Sequence, residues 1–499
     1  MTAWSRRLAP KGLVALSTAL ALAACAVGPD YKPPPVAPTA AARFASGSEP
    51  VYSVAAPPAD WWRLFEDPAL DALIGQALTA NTDLRVAAAN LAQARGALEQ
   101  ARAGRFPTTT LSGAASYERP SSAGLGASIP AAGGSAQPFP DSQFYDASLD
   151  VSYEVDLFGR VSRSIEAARG DARAQAAAVD YLRTTIVSET ARAYVDACAY
   201  AEQLAVARRT LAVQQQSADL TRTLLVGGRE TALSVAQAQA QVETIRATLP
   251  TLEGQRRSAL FQLAVLTGRP PSEISPAADA CKTPPKVRSL IPIGDGAGLI
   301  RRRPDVRQAD RQLAAAVARI GLATAALYPT VTLGGSVGTS AARLKDLTSD
   351  TAFNFNVGPA ISWSFPNILV ARAQIRQAQA GADSALANFD RSVLNALQEA
   401  ELALTAYARE LDRNAALRAA QFQAGRALAL SRQQFTAGTT AFLTVLVAEQ
   451  TLANADAGAA QSDTALAEDQ IAVFKALGGG WENAPPVGGA RPYEARTRR

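Results

Sequence analysis

The chain has 499 residues, with 49 lysines and arginines against 44 aspartates and glutamates and a formal net charge of +5. This near balance predicts no nucleic-acid surface. The sequence contains no histidine, so Ser-His and Cys-His catalytic arrangements are excluded and the commonest zinc ligand is missing.

The N-terminal segment has the features of an export signal. Residues 1–24 combine a basic start with an apolar run that is too short to span a bilayer as a helix. The small residues directly before Cys25 resemble the lipobox of bacterial lipoproteins, which implies cleavage before Cys25 and acylation of its thiol and amine. An ordinary signal peptide with a chance cysteine is the alternative. Under the same resemblance, Ala26 in place of an aspartate implies the outer membrane. Residues 25–60 are rich in proline and alanine, which predicts an extended tether.

The rest of the chain reads as a tandem duplication. Asp83 precedes Pro107 by 24 residues, and Asp305 precedes Pro329 by the same interval. Each half is predicted to run helix, strand, strand, very long helix, turn and return helix. The expected segments are a first repeat at 61–290 with a linker at 268–290, a second repeat at 291–481, and a disordered tail at 482–499.

Two stretches alternate between apolar and polar side chains. Residues 145–156 follow this pattern, and residues 353–364 repeat it about 210 positions later. Alternation of this kind predicts a strand with two different faces. For one strand alone, a half-buried strand of a soluble sandwich is the alternative. The four strands are expected at about 108–117, 144–156, 330–339 and 351–364.

The predicted helices are unusually long. Residues 159–226 would form a helix of about 67 residues, near 100 Å at 1.5 Å per residue, and residues 367–436 would form its counterpart. Helices of globular proteins are far shorter. Each long helix ends at a glycine turn, formed by Gly227 and Gly228 in the first half and by Gly438 in the second. The tip turns are placed at 227–229 and 437–439, and the return helices at 230–267 and 440–477.

The chain also contains Cys198 and Cys281. Two unpaired, buried thiols are the expectation, with a disulfide as the alternative in an oxidising compartment.

Four strands of about ten residues suit a tilted crossing of a bilayer. They cannot close a barrel by themselves, and open sheet edges are not tolerated in lipid. Several copies must therefore pool their strands, and twelve strands from three copies leave room for a lumen. The sequence thus predicts a mainly α-helical protein with a membrane β-barrel, continued by a long α-helical barrel with an equatorial belt at mid-height. The polar residues expected to face the lumen are Asp146, Asp150, Glu154, Asn354 and Asn356.

Seven motifs carry a resemblance to a known family. They are the lipobox, VGPDY, WWRLFEDPAL, the block from LIRRRPDVRQ to ALYPT, the strand exit SYEVDLFGR, the turn FTAGTTAFLTVL and the closing ALGGGW. Over residues 25–481 the chain resembles the TolC-like outer-membrane factors, in the NodT-type or OprM-like lipoprotein branch. The resemblance implies a homotrimer with a twelve-stranded outer-membrane barrel. It also implies an exit duct of a tripartite efflux pump, joined to a periplasmic adaptor, or membrane fusion protein, and to an inner-membrane pump, usually of the resistance-nodulation-division type. Such a duct is not an enzyme and holds no cofactor besides the lipid on Cys25.

The same resemblance places a gate at the periplasmic tip, where the family commonly carries aspartates. By position, Leu443 and Val447 match the apolar and the acidic constriction residue of the OprM-like branch. Thr444 and Val447 match the two aspartates of the TolC pattern. Ser234 stands at the acidic position of the first half, and Phe435 at the start of the second turn completes the candidates. Since the acids are absent, we expect an apolar plug with weak cation selectivity. The alternative is that these residues belong to the helix seam and that the constriction lies one turn away at Glu449.

Two other classes of protein are weighed. A lipidated periplasmic adaptor or scaffolding protein also has long helical hairpins, but it carries one hairpin inside a lipoyl-like domain, whereas this chain repeats two strand pairs. An enzyme with paired carboxylates is disfavoured, because the acids are spread along helix faces and no phosphate loop or metal-spaced cluster appears.

Overall fold

The structure, a computed structural model, describes residues 26–119, 141–365 and 367–487. The predicted signal peptide, Cys25 and most of the predicted tail lie outside the described residues. The described residues belong to two compact units. Within the described ranges, the first unit comprises residues 26–32, 94–119, 141–172, 311–365 and 367–386, and the second comprises residues 33–93, 173–310 and 387–487.

Helices make up most of the described chain. Their bounds are Pro68–Ala80 (α1), Thr82–Ala103 (α2), Arg160–Val226 (α3), Ala232–Leu266 (α4), Pro276–Asp279 (α5), Gly296–Arg302 (α6), Pro304–Ala325 (α7), Ile368–Thr436 (α8) and Phe442–Ala476 (α9). The strands are Tyr52–Ser53 (β1), Thr108–Glu118 (β2), Ser142–Val155 (β3), Ile291–Pro292 (β4), Thr330–Ala341 (β5) and Phe353–Ser362 (β6). The long helices α3 and α8 contain 67 and 69 residues.

No helix within the described ranges is both long enough and apolar enough to cross a membrane.

The first unit contains a four-stranded antiparallel sheet in the order β2-β3-β5-β6. Directly opposite residues of antiparallel strands share a face. Leu149 lies opposite Leu111 and Val337, and Val337 lies opposite Phe355. These four side chains therefore form an apolar row across all four strands, as the alternation predicts.

The opposite face of the sheet is polar. Asp150 lies opposite Thr110 and Ser336, and Ser336 lies opposite Asn356. The Asn356 amide donates a hydrogen bond to the Ser336 hydroxyl over 2.8 Å. The expected lumen residues Asp150 and Asn356 thus share one face of the sheet.

The N-terminal residues of the first unit are packed rather than free. Arg163 of α3, only 5% exposed, pairs with Asp30 at 2.8 Å and with Glu166 at 2.7 Å. Gly28 approaches Gly321 so closely that a Cβ on Gly28 would collide with the Gly321 backbone. The VGPDY motif therefore supplies contacts that hold the chain against its unit.

The second unit buries the aromatic residues of the WWRLF motif. Trp61 is fully buried and stacks on Phe474 of α9, with ring centroids 5.1 Å apart. Phe44 and Tyr52 are also buried, and β1 pairs in parallel with β4. The structure contradicts the expectation of an extended tether over 25–60. The segment packs into the fold because burial removes its apolar side chains from water, which stabilises the packed state over a free one.

A disulfide joins Cys198 of α3 to Cys281 of the linker, with a Cα–Cα distance of 5.0 Å. The expectation of two unpaired thiols is therefore wrong. The linker folds back because Ala278 and Val287 are buried and because the Gln470 amide bonds both the N–H and the carbonyl of Val287, each at 3.0 Å. This packing brings Cys281 within bridging distance of α3.

Candidate functional site

The first helical tip is closed by a hydrogen-bonded glycine turn in the second unit. Gly228 has φ +69°, and its N–H donates to the Leu225 carbonyl at 2.9 Å while the Arg229 N–H donates to Leu224 at 2.8 Å. This pair of bonds is the Schellman motif, which requires a left-handed residue at the position of Gly228. Gly227 precedes it and does not have a positive φ.

The second tip repeats this geometry. Gly438 has φ +75°, its N–H donates to the Phe435 carbonyl at 2.9 Å, and the Thr439 N–H donates to Gln434 at 3.0 Å. A Cβ on Gly228 or Gly438 would meet nothing within 4 Å. The left-handed backbone conformation, and not a lack of room for a side chain, therefore favours glycine at both tips.

Three of the candidate gate residues share an exposed surface at the start of α9. Leu443 is 47% exposed and Val447 is 58% exposed, and Thr444 between them is exposed as well. The Thr440 hydroxyl donates to the Thr444 hydroxyl at 3.0 Å. This surface, formed by Leu443, Thr444 and Val447 and called the tip patch below, carries no charge of its own.

The other two candidates point into the helix packing. Ser234 is 8% exposed, and its N–H donates to the Thr231 hydroxyl at 3.2 Å, the N-cap bond of α4. Phe435 is half-buried and meets Phe442 edge-on, with ring centroids 5.0 Å apart. The structure therefore places Leu443, Thr444 and Val447 on one exposed surface, whereas the side chains of Ser234 and Phe435 take part in the helix packing.

A small apolar core lies behind the tip patch. Phe442 is 2% exposed, and a fully buried Phe contributes about 1.5–3 kcal/mol relative to an exposed one. The core draws on α3, α4, α8 and α9, and its buried members are Ala218, Ala238, Val242, Leu428, Phe442, Val445 and Leu446.

Glu449 is the charged residue of this core. Its side chain is 1% exposed, and Oε1 accepts hydrogen bonds from the Ser217 hydroxyl at 2.8 Å and from Arg432 at 2.7 Å. Its Oε2 is buried and has no partner within the described residues. Glu449 therefore bonds α9 to α3 and α8, and its carboxylate is not displayed on the surface beside Val447.

Known proteins share both the sequence and the fold. The family described as outer membrane efflux protein matches residues 73–269 and 298–479. Nodulation protein T of Rhizobium leguminosarum bv. viciae is 29% identical over 485 residues, which cover 97% of this chain and 96% of that protein. The probable outer membrane lipoprotein SilC of Salmonella typhimurium is 30% identical over 484 residues, covering 94% and 98%. The solved structure of the outer-membrane channel OprN matches with a TM-score of 0.84 at 33% identity, over 92% of this chain and 100% of that one.

Proposed function

This chain belongs to the outer membrane efflux protein family, and on that premise we propose that it is the outer-membrane exit duct of a tripartite efflux pump. In this role it passively conducts small molecules that reach it from a periplasmic adaptor and an inner-membrane transporter. The first transporter to test as its partner is a pump of the resistance-nodulation-division type. Conduction of this kind needs no covalent chemistry and no cofactor. Family membership decides against the adaptor alternative.

The four-stranded sheet carries the proposal. Its edge strands β2 and β6 are exposed along their whole length and have no further partner strand within the described residues. Leu111 on β2 and Val357 on β6 are each 81% exposed. Long apolar edges of this kind are an aggregation hazard unless they pair with another chain. Pairing β2 of one copy with β6 of the next satisfies both edges, and three copies supply twelve strands around a lumen.

Assembly is tested by the mass of the detergent-extracted, lipidated protein, measured by light scattering and corrected for bound detergent. A particle of three chain masses is expected. A monomer that stays soluble after Cys25→Ala would overturn the duct, because the four strands would then be stable without a second chain or a bilayer.

We further propose that the mature chain begins at Cys25 and carries lipid there. The lipobox-like residues before Cys25 support this, as does the similarity to a protein described as a lipoprotein. Mass spectrometry of the N-terminal tryptic peptide tests it, since acyl chains on Cys25 add a defined mass. An unmodified Cys25, or a mature N-terminus elsewhere, would contradict it.

For the gate, we propose that the tip patch closes the duct as an apolar plug with weak cation selectivity. The patch exposes Leu443, Thr444 and Val447, while the nearest acid on α9, Glu449, is enclosed in the core. A pore selects cations through rings of exposed carboxylates, and the tip patch offers none.

The variant Val447→Asp tests this proposal. In a trimer it adds a ring of three carboxylates at an exposed position, so the ratio of cation to anion permeability, obtained from reversal potentials in planar bilayers, should rise several-fold. Val447→Asn is the matched uncharged control and should stay near the wild type. Strong cation selectivity in the wild type that is lost in Glu449→Gln would place the constriction at Glu449 instead.

A further inference from the structure

A cavity of about 610 Å³ lies in the second unit, apart from the tip. It is bounded by the segment before α1, by the residues around α6 and by the segment that follows α9. This volume falls within the range of roughly 300–1,000 Å³ that is usual for small-molecule sites. The residues that matter for its chemistry are Arg43, Asp295, Arg301, Arg302, Trp481 and Glu482.

The backbone around the cavity is held by hydrogen bonds. The Ile293 N–H donates to the Ser53 carbonyl at 3.0 Å, which extends the pairing of β1 with β4. The Gly296 N–H donates to the Ala42 carbonyl at 2.9 Å, and a Cβ on Gly296 would collide with the Ala40 carbonyl. The walls that carry Arg43 and α6 are therefore fixed to one another.

Both carboxylates at the cavity already have backbone partners. Asp295 accepts the Gly298 N–H at 2.7 Å. Glu482 Oε2 accepts the N–H groups of Gly480 and Trp481, each at 3.2 Å. These bonds reduce what either carboxylate can offer to the neighbouring arginines.

The three arginines of the cavity are poorly neutralised. Arg302 lies 3.7 Å from Glu482 Oε1, which is longer than a hydrogen bond, and its side chain is only 19% exposed. Burial lowers the pKa of Arg302, and Glu482 only partly opposes this shift. Neither Arg43 nor Arg301 forms a salt bridge or side-chain hydrogen bond with another described residue.

We propose that this cavity binds an oxyanion ligand that carries at least two carboxylate or phosphate groups. Guanidinium groups recognise such groups through paired, charge-assisted hydrogen bonds, and two of the three guanidinium groups here are uncommitted. Trp481 adds an apolar wall, with one ring face covered by Arg307 at 4.6 Å. The proposal is independent of the proposed gate, since the cavity shares no residue with the tip patch.

The test is isothermal titration of the full, lipidated protein in detergent at constant ionic strength. Citrate probes carboxylate recognition and inorganic pyrophosphate probes phosphate recognition, so the two arms identify the group that is preferred. We expect saturable binding of at least one probe. The double variant Arg43→Gln/Arg301→Gln should weaken it at least tenfold, and each single variant should weaken it less.

The matched control is Arg257→Gln/Arg288→Gln, which makes the same change in net charge at two exposed arginines outside the cavity. It should bind as the wild type does. Arg43 and Arg301 have no ion-pair partners among the described residues to lose, and an unchanged unfolding midpoint checks that their variant is folded. Absence of saturable binding of both probes, equal weakening by both double variants, or wild-type binding by the cavity variant would each overturn the proposal.

Discussion

Reduction of the disulfide between Cys198 and Cys281 should loosen the linker before it unfolds the helices. The bond joins α3 to the linker and encloses the first tip turn and all of α4. The second tip hairpin, α8 with α9, contains no cysteine. The first hairpin is therefore covalently closed at its base, whereas the second is held by noncovalent contacts such as the bond between Arg432 and Glu449.

The magnitude follows from the length of the closed loop. For cysteines 83 residues apart, the chain-entropy relation gives about 4.5 kcal/mol of stabilisation against global unfolding. Local release of the linker is opposed by other contacts as well. The two hydrogen bonds between Gln470 and Val287 are worth about 1 kcal/mol each, and the buried Ala278 and Val287 side chains add to them.

Limited trypsin digestion read by mass spectrometry measures this local release. Lys282 is exposed and follows Cys281 directly, so cleavage after Lys282 should accelerate about tenfold or more when the protein is reduced, corresponding to at least about 1.4 kcal/mol of lost restraint. Cleavage after Arg257, on α4 outside the linker, is the internal control and should change less.

The variant Cys198→Ser/Cys281→Ser should show the fast cleavage without reductant, and reductant should not change it further. Its helical circular dichroism should also be lost at a lower temperature than in the oxidised wild type. If cleavage after Lys282 proceeds at the same rate in oxidised and reduced protein, packing alone holds the linker and the reasoning fails.

Two further predictions concern the turns and the titration of a half-buried acid. Gly438→Ala should lower the free energy of unfolding by about 1 kcal/mol, because alanine is strained at the φ of +75°. Gly425→Ala inside α8, where a Cβ meets nothing within 4 Å, should instead raise the free energy of unfolding by about 0.4–1 kcal/mol. Thermal unfolding of both variants measures this, and equal effects would contradict it. Burial, and next the Glu468 carboxylate, raise the pKa of Asp196 to about 7 from a usual 3.8. The folded protein therefore keeps a proton that the unfolded chain has lost, and stability should fall as the pH rises from about 4 to about 7. Asp196→Asn should flatten this dependence of the unfolding midpoint, and an unchanged slope would exclude Asp196 as its source.

The sheet could be predicted from the sequence because its signal is local. Alternation needs only neighbouring residues, so the expected strand at about 144–156 compares with β3 at Ser142–Val155, and the one at 351–364 with β6 at Phe353–Ser362. The tip turns are local in the same way, since a left-handed residue after a long helix favours glycine. The partner of an edge strand is not local, so the pairing of β2 with β6 of another copy rests on the proposal and on the mass measurement that tests it.

The disulfide and the N-terminal packing depend on which surfaces meet in space. Cys281 lies in a proline-rich linker without periodicity, so nothing near it in the sequence indicates that α3 is its neighbour. Phe44 and Tyr52 lie in a segment whose average composition indicates a tether, although single aromatic side chains of that segment are buried. Composition averages over a segment, whereas packing selects individual side chains.

Among the candidate gate residues, helical spacing separates the exposed side chains from the buried ones. Phe442, Val445 and Leu446 are buried, and Glu449 continues their spacing of three and four residues, so it belongs to the inner stripe of α9. Val447 falls on the opposite side of the helix and is exposed. The acid therefore acts on the tip by joining α9 to α3 and α8, while the polarity of the exposed surface is set by Leu443, Thr444 and Val447. If the tip patch closes the duct as proposed, a change of charge at Val447 acts on the pore directly, and a change at Glu449 acts only through the packing of the helices.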